Sequence, residues 1–190
     1  MKGKDVKEIL ITAVSLLLIC AVAAGLVAGV NAVTYKTIDA RAEANATASR
    51  RELIPEAADF TETTLDNGDV YYTGKTASGE IAGYVFVTAG NGYNGQVKIM
   101  TGFTPDGEVT GISFLTLDET PGLGMNAKRP DFFGQFIGKS SALKVTKAET
   151  PGENEIRAIT SATITSTAVT NAVNAARDLF DAVTKGGNAK

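Results

Sequence analysis

The sequence predicts an α+β protein: a single N-terminal transmembrane helix followed by a domain with a twisted antiparallel sheet and packed helices. Three observations predict it. An apolar run near the N-terminus is long enough to cross a bilayer, the middle of the chain alternates like strands between tight turns, and the last segment carries an apolar stripe at helical spacing.

No charged residue occurs from Ile9 to Tyr35, and Ile9 to Val30 is almost wholly apolar. A bilayer core of about 30 Å takes roughly 20 such residues as a helix. The small residues Ala21-Val22-Ala23-Ala24-Gly25 would also suit a cleaved signal peptide. A signal's apolar region, however, is only about 7–15 residues long, and Asp5 and Glu8 dilute the basic start. The length therefore favours a retained anchor. Lys2, Lys4 and Lys7 precede the span, whereas Lys36, Asp39 and Arg41 follow it as a weaker basic cluster. The positive-inside bias places the N-terminus in the cytoplasm and the rest outside the inner cell membrane. The expected organisation is a cytoplasmic tail at 1–8, the span at 9–34, a helical stalk at 35–56 and a folded extracytoplasmic domain at 57–190.

Thr37 to Glu52 is rich in Ala, Glu and Arg and continues as helix until Pro55 stops it at Leu53-Ile54. Val70-Tyr71-Tyr72 is a strand leading to a turn at Gly74, and Ile81 to Val87 is the clearest strand. The glycine-rich loop Gly90 to Gly95 follows. Gln96 to Phe103 and Val109 to Leu117 flank Pro105-Asp106-Gly107, a hairpin signal. Pro121 to Pro130 reads as a loop, and Phe132 to Ile137 as a short buried helix or turn. Leu143 to Thr146 and Ile156 to Ile159 are short strands. From about Thr165 to Lys185, Val169, Val173, Ala176, Phe180 and Val183 recur at three- and four-residue steps, and Gly186-Gly187 ends that helix.

Composition narrows the chemistry. The chain has no histidine and one cysteine, Cys20, inside the span. Imidazole-based hydrolysis, His-ligated metals, zinc–cysteine sites, and iron–sulfur clusters held by this chain alone are excluded. No metal site is expected, no side chain is cast as a catalytic residue, and a cofactor is the expected source of any chemistry. With Lys2, Lys4, Lys7, Asp5 and Glu8 set aside, 15 of the 18 basic and 19 of the 21 acidic residues remain. A net-acidic domain without a basic run is a poor binder of nucleic acid.

Two segments could carry a cofactor. Thr160-Ser161-Ala162-Thr163-Ile164-Thr165-Ser166-Thr167 lies at the start of the last helix, where unpaired backbone N–H groups and a partial positive charge favour a phosphate. The same hydroxyls could instead cap the helix, through Thr165 or Ser166. Glu119-Thr120-Pro121-Gly122-Leu123-Gly124 combines a Pro-Gly turn with a glycine that lets backbone approach a ligand, or is a turn and nothing more.

Taken together and in order, these segments give the chain a resemblance to the G subunit of the Rnf electron-transport complex. It also resembles the related C subunit of the sodium-pumping NADH:quinone reductase. The resemblance runs through the N-terminal anchor, Leu53-Ile54-Pro55-Glu56, Gly83-Tyr84-Val85-Phe86, Gly90 to Gly95, Asp106 to Ile112, Glu119 to Gly124 and Ala158 to Ser166. It implies that 57–190 is an FMN-binding domain in which FMN is covalently joined through its phosphate to Thr163. A separate flavin transferase using FAD and magnesium would install it. Thr160, Ser161, Ala162, Thr165 and Ser166 would surround the phosphate. Glu119, Thr120, Gly122, Leu123 and Gly124 would border the flavin, with Met125, Tyr84 and Tyr93 as further apolar wall.

The implied role is electron relay to other Rnf subunits in the membrane, including a second flavin-bearing subunit and iron–sulfur subunits. The implied complex couples ferredoxin and NAD to sodium or proton movement. Three positions depart from the family pattern: Ser161 replaces the usual glycine, Arg157 a common acidic residue, and Leu117-Asp118 stands where many members carry histidine. Without flavin, the same chain would be an anchored extracytoplasmic scaffold or ligand-sensing domain.

Overall fold

The computed structural model describes residues 3–65 and 68–186. Lys2 and Gly187, which figure in the expected topology and helix end, lie outside the described residues.

Helix α1 spans Gly3–Leu53. From Lys7 onward it is long and apolar enough to cross a membrane. Its apolar side chains are exposed along the whole charge-free stretch, as a lipid-facing helix requires. The residues up to Asn45 form one compact unit, and Ala46–Lys190 form a second. Ala46, Arg50 and Leu53 recur at helical spacing and are buried within the second unit, together with Ile54. The Arg50 guanidinium lies 4.1 Å over the Tyr72 ring, and Ser113 Oγ donates to Ser49 Oγ at 2.9 Å. Ala46 to Ile54, within the expected stalk, thus fall in the second compact unit.

The domain is built on a five-stranded antiparallel meander: β1 Asp59–Thr64, β2 Val70–Lys75, β3 Ile81–Asn91, β4 Gln96–Phe103 and β5 Val109–Thr116, in that order across the sheet. Strand β1 has no counterpart among the expected strands, because Asp-Phe-Thr-Glu-Thr-Thr is polar on most positions; it is a largely exposed edge strand. Strand β2 runs through Gly74, and the turn comes later at Gly79. The central pair β3 and β4 is buried on both faces, Phe86 and Ile99 on one side, Val85 and Met100 on the other.

Helix α3, Thr163–Lys185, covers the first face with Val169, Val173, Ala176 and Phe180. It lies very close to β3. A Cβ on Gly90 would be 2.1 Å from the Ala168 carbonyl oxygen, and Thr88 Oγ1 donates to the Ala172 carbonyl at 2.8 Å. The other face is covered by Leu53 and Ile54 at the end of α1.

Between β5 and α3 the expected loop contains a short 3-10 turn, Gly124–Lys128. Then come α2, Pro130–Phe133, a second 3-10 turn at Gly134–Phe136, and the parallel pair β6 Lys144–Thr146 and β7 Glu155–Arg157. Phe132 and Phe136 bury their rings there edge to face, 5.6 Å apart. Two side chains of α3 hold this segment. Asn174 exchanges two hydrogen bonds with the Leu143 backbone, both 2.9 Å. Arg177, 7% exposed, donates to the carbonyls of Gly107, Ser140 and Lys139 at 2.9–3.0 Å and lies over the Phe103 ring. Burial lowers its pKa, while Asp181 and Asp178 oppose that shift; the guanidinium stays charged at neutral pH.

Replacing Arg177 by Met leaves those three carbonyls without their donor, a loss of about 3 kcal/mol. Urea unfolding followed by circular dichroism should show the midpoint falling with unchanged slope.

Candidate functional site

Three segments converge beside the N-terminal end of α3: the loop Gly92 to Gly95 between β3 and β4, the stretch leaving β5 through Glu119 to Gly124, and the turn from Ile159 to Thr163. Glu119 joins the first two. It is 5% exposed, and its Oε1 accepts the Tyr93 N–H at 2.7 Å and the Asn94 N–H at 3.4 Å. The fit tolerates no side chain at two glycines. A Cβ on Gly92 would be 2.1 Å from Glu119 Oε1, and one on Gly124 would be 2.6 Å from Thr165 Oγ1.

These segments enclose a cavity of about 610 Å³ whose wall includes residues 161–165, Glu119, Thr120, Leu123, Gly124 and Tyr93. Thr163 is half-buried and is the first residue of α3. The helix begins two residues earlier than its apolar spacing indicates. Ala162 is the N-cap and supplies no side-chain cap. The N–H groups of Thr163, Ile164 and Thr165 therefore have no acceptor within the helix, and all three residues line the cavity.

Capping by Thr165 or Ser166 does not occur. Ser166 is fully buried: its Oγ accepts the Ile159 N–H and donates to the Ala162 carbonyl, both at 2.9 Å. The Ser166 hydroxyl, expected beside a phosphate, is thus engaged within the turn that leads into Thr163. Ala162 closes the same turn by donating its N–H to the Ile159 carbonyl at 2.9 Å. Within it Ser161 sits at φ 61°, the one left-handed non-glycine among the described residues.

Thr160 and Gly122 lie elsewhere, on a second cavity of about 500 Å³ that shares Leu123 and Ser161 with the first. Two expected wall residues also fall away. Tyr84 packs in the core, 5.6 Å from the Phe180 ring and 6.5 Å from Phe86, and Met125 packs against the same cluster. Burial, and then Tyr71, raises the Tyr84 phenol pKa. Tyr93 and Leu123 do reach the cavity, 72% and 40% exposed. Ile164 joins them, a wall residue that sequence reasoning missed. Its signal is a large apolar residue beside Thr163 that falls outside the apolar stripe of α3.

A left-handed serine costs about 1 kcal/mol relative to glycine. Ser161→Gly should therefore raise the melting temperature by about 2–4 °C, read by thermal circular dichroism; an unchanged or lower value contradicts the strain.

Residues 92–178 match the FMN-binding domain family, and residues 1–53 match the RnfG N-terminal region. Over 189 residues the chain is 39% identical to the G subunit of the Na⁺-translocating ferredoxin:NAD⁺ oxidoreductase complex of Acetobacterium woodii, covering 90% of each. Over 186 residues it is 32% identical to the G subunit of the proton-translocating ferredoxin:NAD⁺ oxidoreductase complex of Clostridium ljungdahlii, covering 97% of this chain and 98% of that one. Among solved structures, the C subunit of the Na⁺-translocating NADH-quinone reductase from Parabacteroides distasonis shares the fold. It superposes with a TM-score of 0.50 over 61% of each chain, at 23% identity. An apolar N-terminal helix, an FMN-binding domain and near full-length similarity to these relatives coincide in one chain, which belongs to the RnfG family of Rnf complex subunits.

Proposed function

We infer that this chain is the membrane-anchored electron-transfer subunit of an Rnf-type ferredoxin:NAD⁺ oxidoreductase coupled to sodium or proton translocation. It would carry FMN covalently, as a phosphoester of Thr163. The observation behind this reading is the position of Thr163: first residue of an uncapped helix, on the wall of a cavity of about 610 Å³.

The residues present fit the group. The volume lies in the range of about 300–1,000 Å³ usual for small-molecule sites. Gly92 and Gly124 leave no room for a Cβ against Glu119 and Thr165, so the segments around the cavity pack tightly on one another. Bound FMN would supply the one- and two-electron chemistry that the side chains of this protein lack. The protein's part is to place and shield it. Thr163 Oγ1 would be the attachment atom, and the N–H groups of Thr163, Ile164 and Thr165, with the positive end of the helix, would favour the phosphate's negative charge. Ser166 fixes the turn that presents Thr163. Glu119 holds the glycine loop against Gly124, and Tyr93, Leu123 and Ile164 would offer the flavin an apolar wall.

In this reading a flavin transferase installs FMN, and electrons pass to and from other Rnf subunits in the membrane, among them a second flavin-bearing subunit and iron–sulfur subunits. Lys4 and Lys7 before the span orient the N-terminus to the cytoplasm, leaving the FMN domain outside. Permanent attachment suits that side, because a dissociated flavin there would be lost.

Co-expression with a matching flavin transferase should give a fluorescent band after denaturing electrophoresis for the wild type and none for Thr163→Val. A non-fluorescent wild type would favour the flavin-free scaffold. Protease added to right-side-out vesicles should cleave the domain, and cleavage confined to inverted vesicles would reverse the topology.

A further inference from the structure

The second cavity, about 500 Å³, differs in character from the one at Thr163. Its lining includes two arginines, Arg129 and Arg157, the hydroxyl residues Thr160 and Ser161, and Asn126 and Gln135. Arg129 is partly engaged: its Nε lies 3.2 Å from Asp131 Oδ1, with both side chains more than half exposed. Arg157 makes no ion pair among the described residues, and its backbone is held in place. Its N–H donates to Gln135 Oε1 at 2.7 Å, and its carbonyl accepts from Gln135 Nε2 at 3.4 Å.

Two cations against the single carboxylate of Asp131 leave an excess of positive charge here, in a chain whose net charge is −3. An apolar or neutral ligand gains nothing from desolvating that excess. A doubly charged oxyanion gains from both planar guanidinium groups, which match its oxygens in pairs. Leu123 and Ser161 form part of both cavity walls, so a group bound here lies next to the cavity of Thr163. The exposed Ser161 occupies that shared wall in a left-handed conformation.

We propose that this cavity is a phosphate-recognition subsite that binds a phosphate monoester dianion beside Thr163, with Arg157 as its principal cation and Arg129 as its second. The proposal rests on reading Thr163 as the flavin attachment point and adds a non-covalent binding site for a phosphate monoester at the adjoining wall.

The test uses the full chain in detergent, produced without a flavin transferase, and titrates inorganic phosphate, AMP, FMN and riboflavin by calorimetry and ³¹P NMR. Inorganic phosphate, AMP and FMN should bind and compete with one another, while riboflavin should not displace phosphate. Arg157→Gln should weaken all three about tenfold, and Asp131→Asn, by releasing Arg129, should tighten them. Both side chains are exposed, so neither change threatens the fold. Phosphate that fails to bind, or binds equally well to Arg157→Gln, overturns the subsite. FMN binding that ignores Arg157 would leave the flavin reading standing without it. Arg157-dependent binding of phosphate and AMP, in a chain that stays non-fluorescent after co-expression with a flavin transferase, would keep the subsite and remove the flavin reading.

Discussion

Helix α3 lies so close to strand β3 that a methyl group at Gly90 would sit 2.1 Å from the Ala168 carbonyl oxygen, and the remaining features of the site follow from that approach. The Thr88 hydroxyl, donating to the Ala172 carbonyl, pins the helix one turn further along. With the helix axis set against β3, the N-terminal end of α3 has to emerge beside the loop that closes the β3–β4 hairpin. The apolar stripe of Val169, Val173, Ala176 and Phe180 supplies the driving force, each side chain contributing about 1–3 kcal/mol of burial. Glycine at one strand position converts that general attraction into a specific placement of Thr163.

Around this placement, polar residues divide into those that build the cavity and those that face it. Glu119 spends Oε1 on the N–H groups of Tyr93 and Asn94, and Ser166 spends its hydroxyl on Ile159 and Ala162. Both are buried, and a buried polar group left unsatisfied costs about 1–3 kcal/mol, so these bonds make the local backbone geometry single-valued. The helix start itself is left without a side-chain cap. Its first N–H groups therefore have no acceptor within the helix. On the other side of the same turn, Arg157 and Arg129 gather positive charge at the adjoining cavity.

Much of the architecture is legible in the sequence. Strand β4 occupies the span expected for it, β5 ends one residue short of it, and α3 carries its apolar stripe where periodicity places it. Such elements announce themselves because their side-chain period, two or 3.6, repeats along many residues. Strand β1 does not, since an exposed edge strand needs no apolar alternation. The two ends of the site are legible as motifs, Glu119 to Gly124 and Thr160 to Ser166, through the unusual density of glycine in one and of hydroxyls in the other.

The sequence by itself determined that the chain has a membrane-length apolar helix, that the domain after it is α+β, and that it has no imidazole and a single thiol, because composition and periodicity are local properties. Only the tertiary structure decided which residues of the two motifs share a cavity. It turned Ser166 inward, moved Thr160 and Gly122 to the neighbouring cavity, took Tyr84 and Met125 into the core, and brought Ile164 to the wall beside Thr163. Those assignments depend on where α3 rests against the sheet and on the left-handed turn at Ser161, contacts between residues far apart in the chain that no spacing along it encodes.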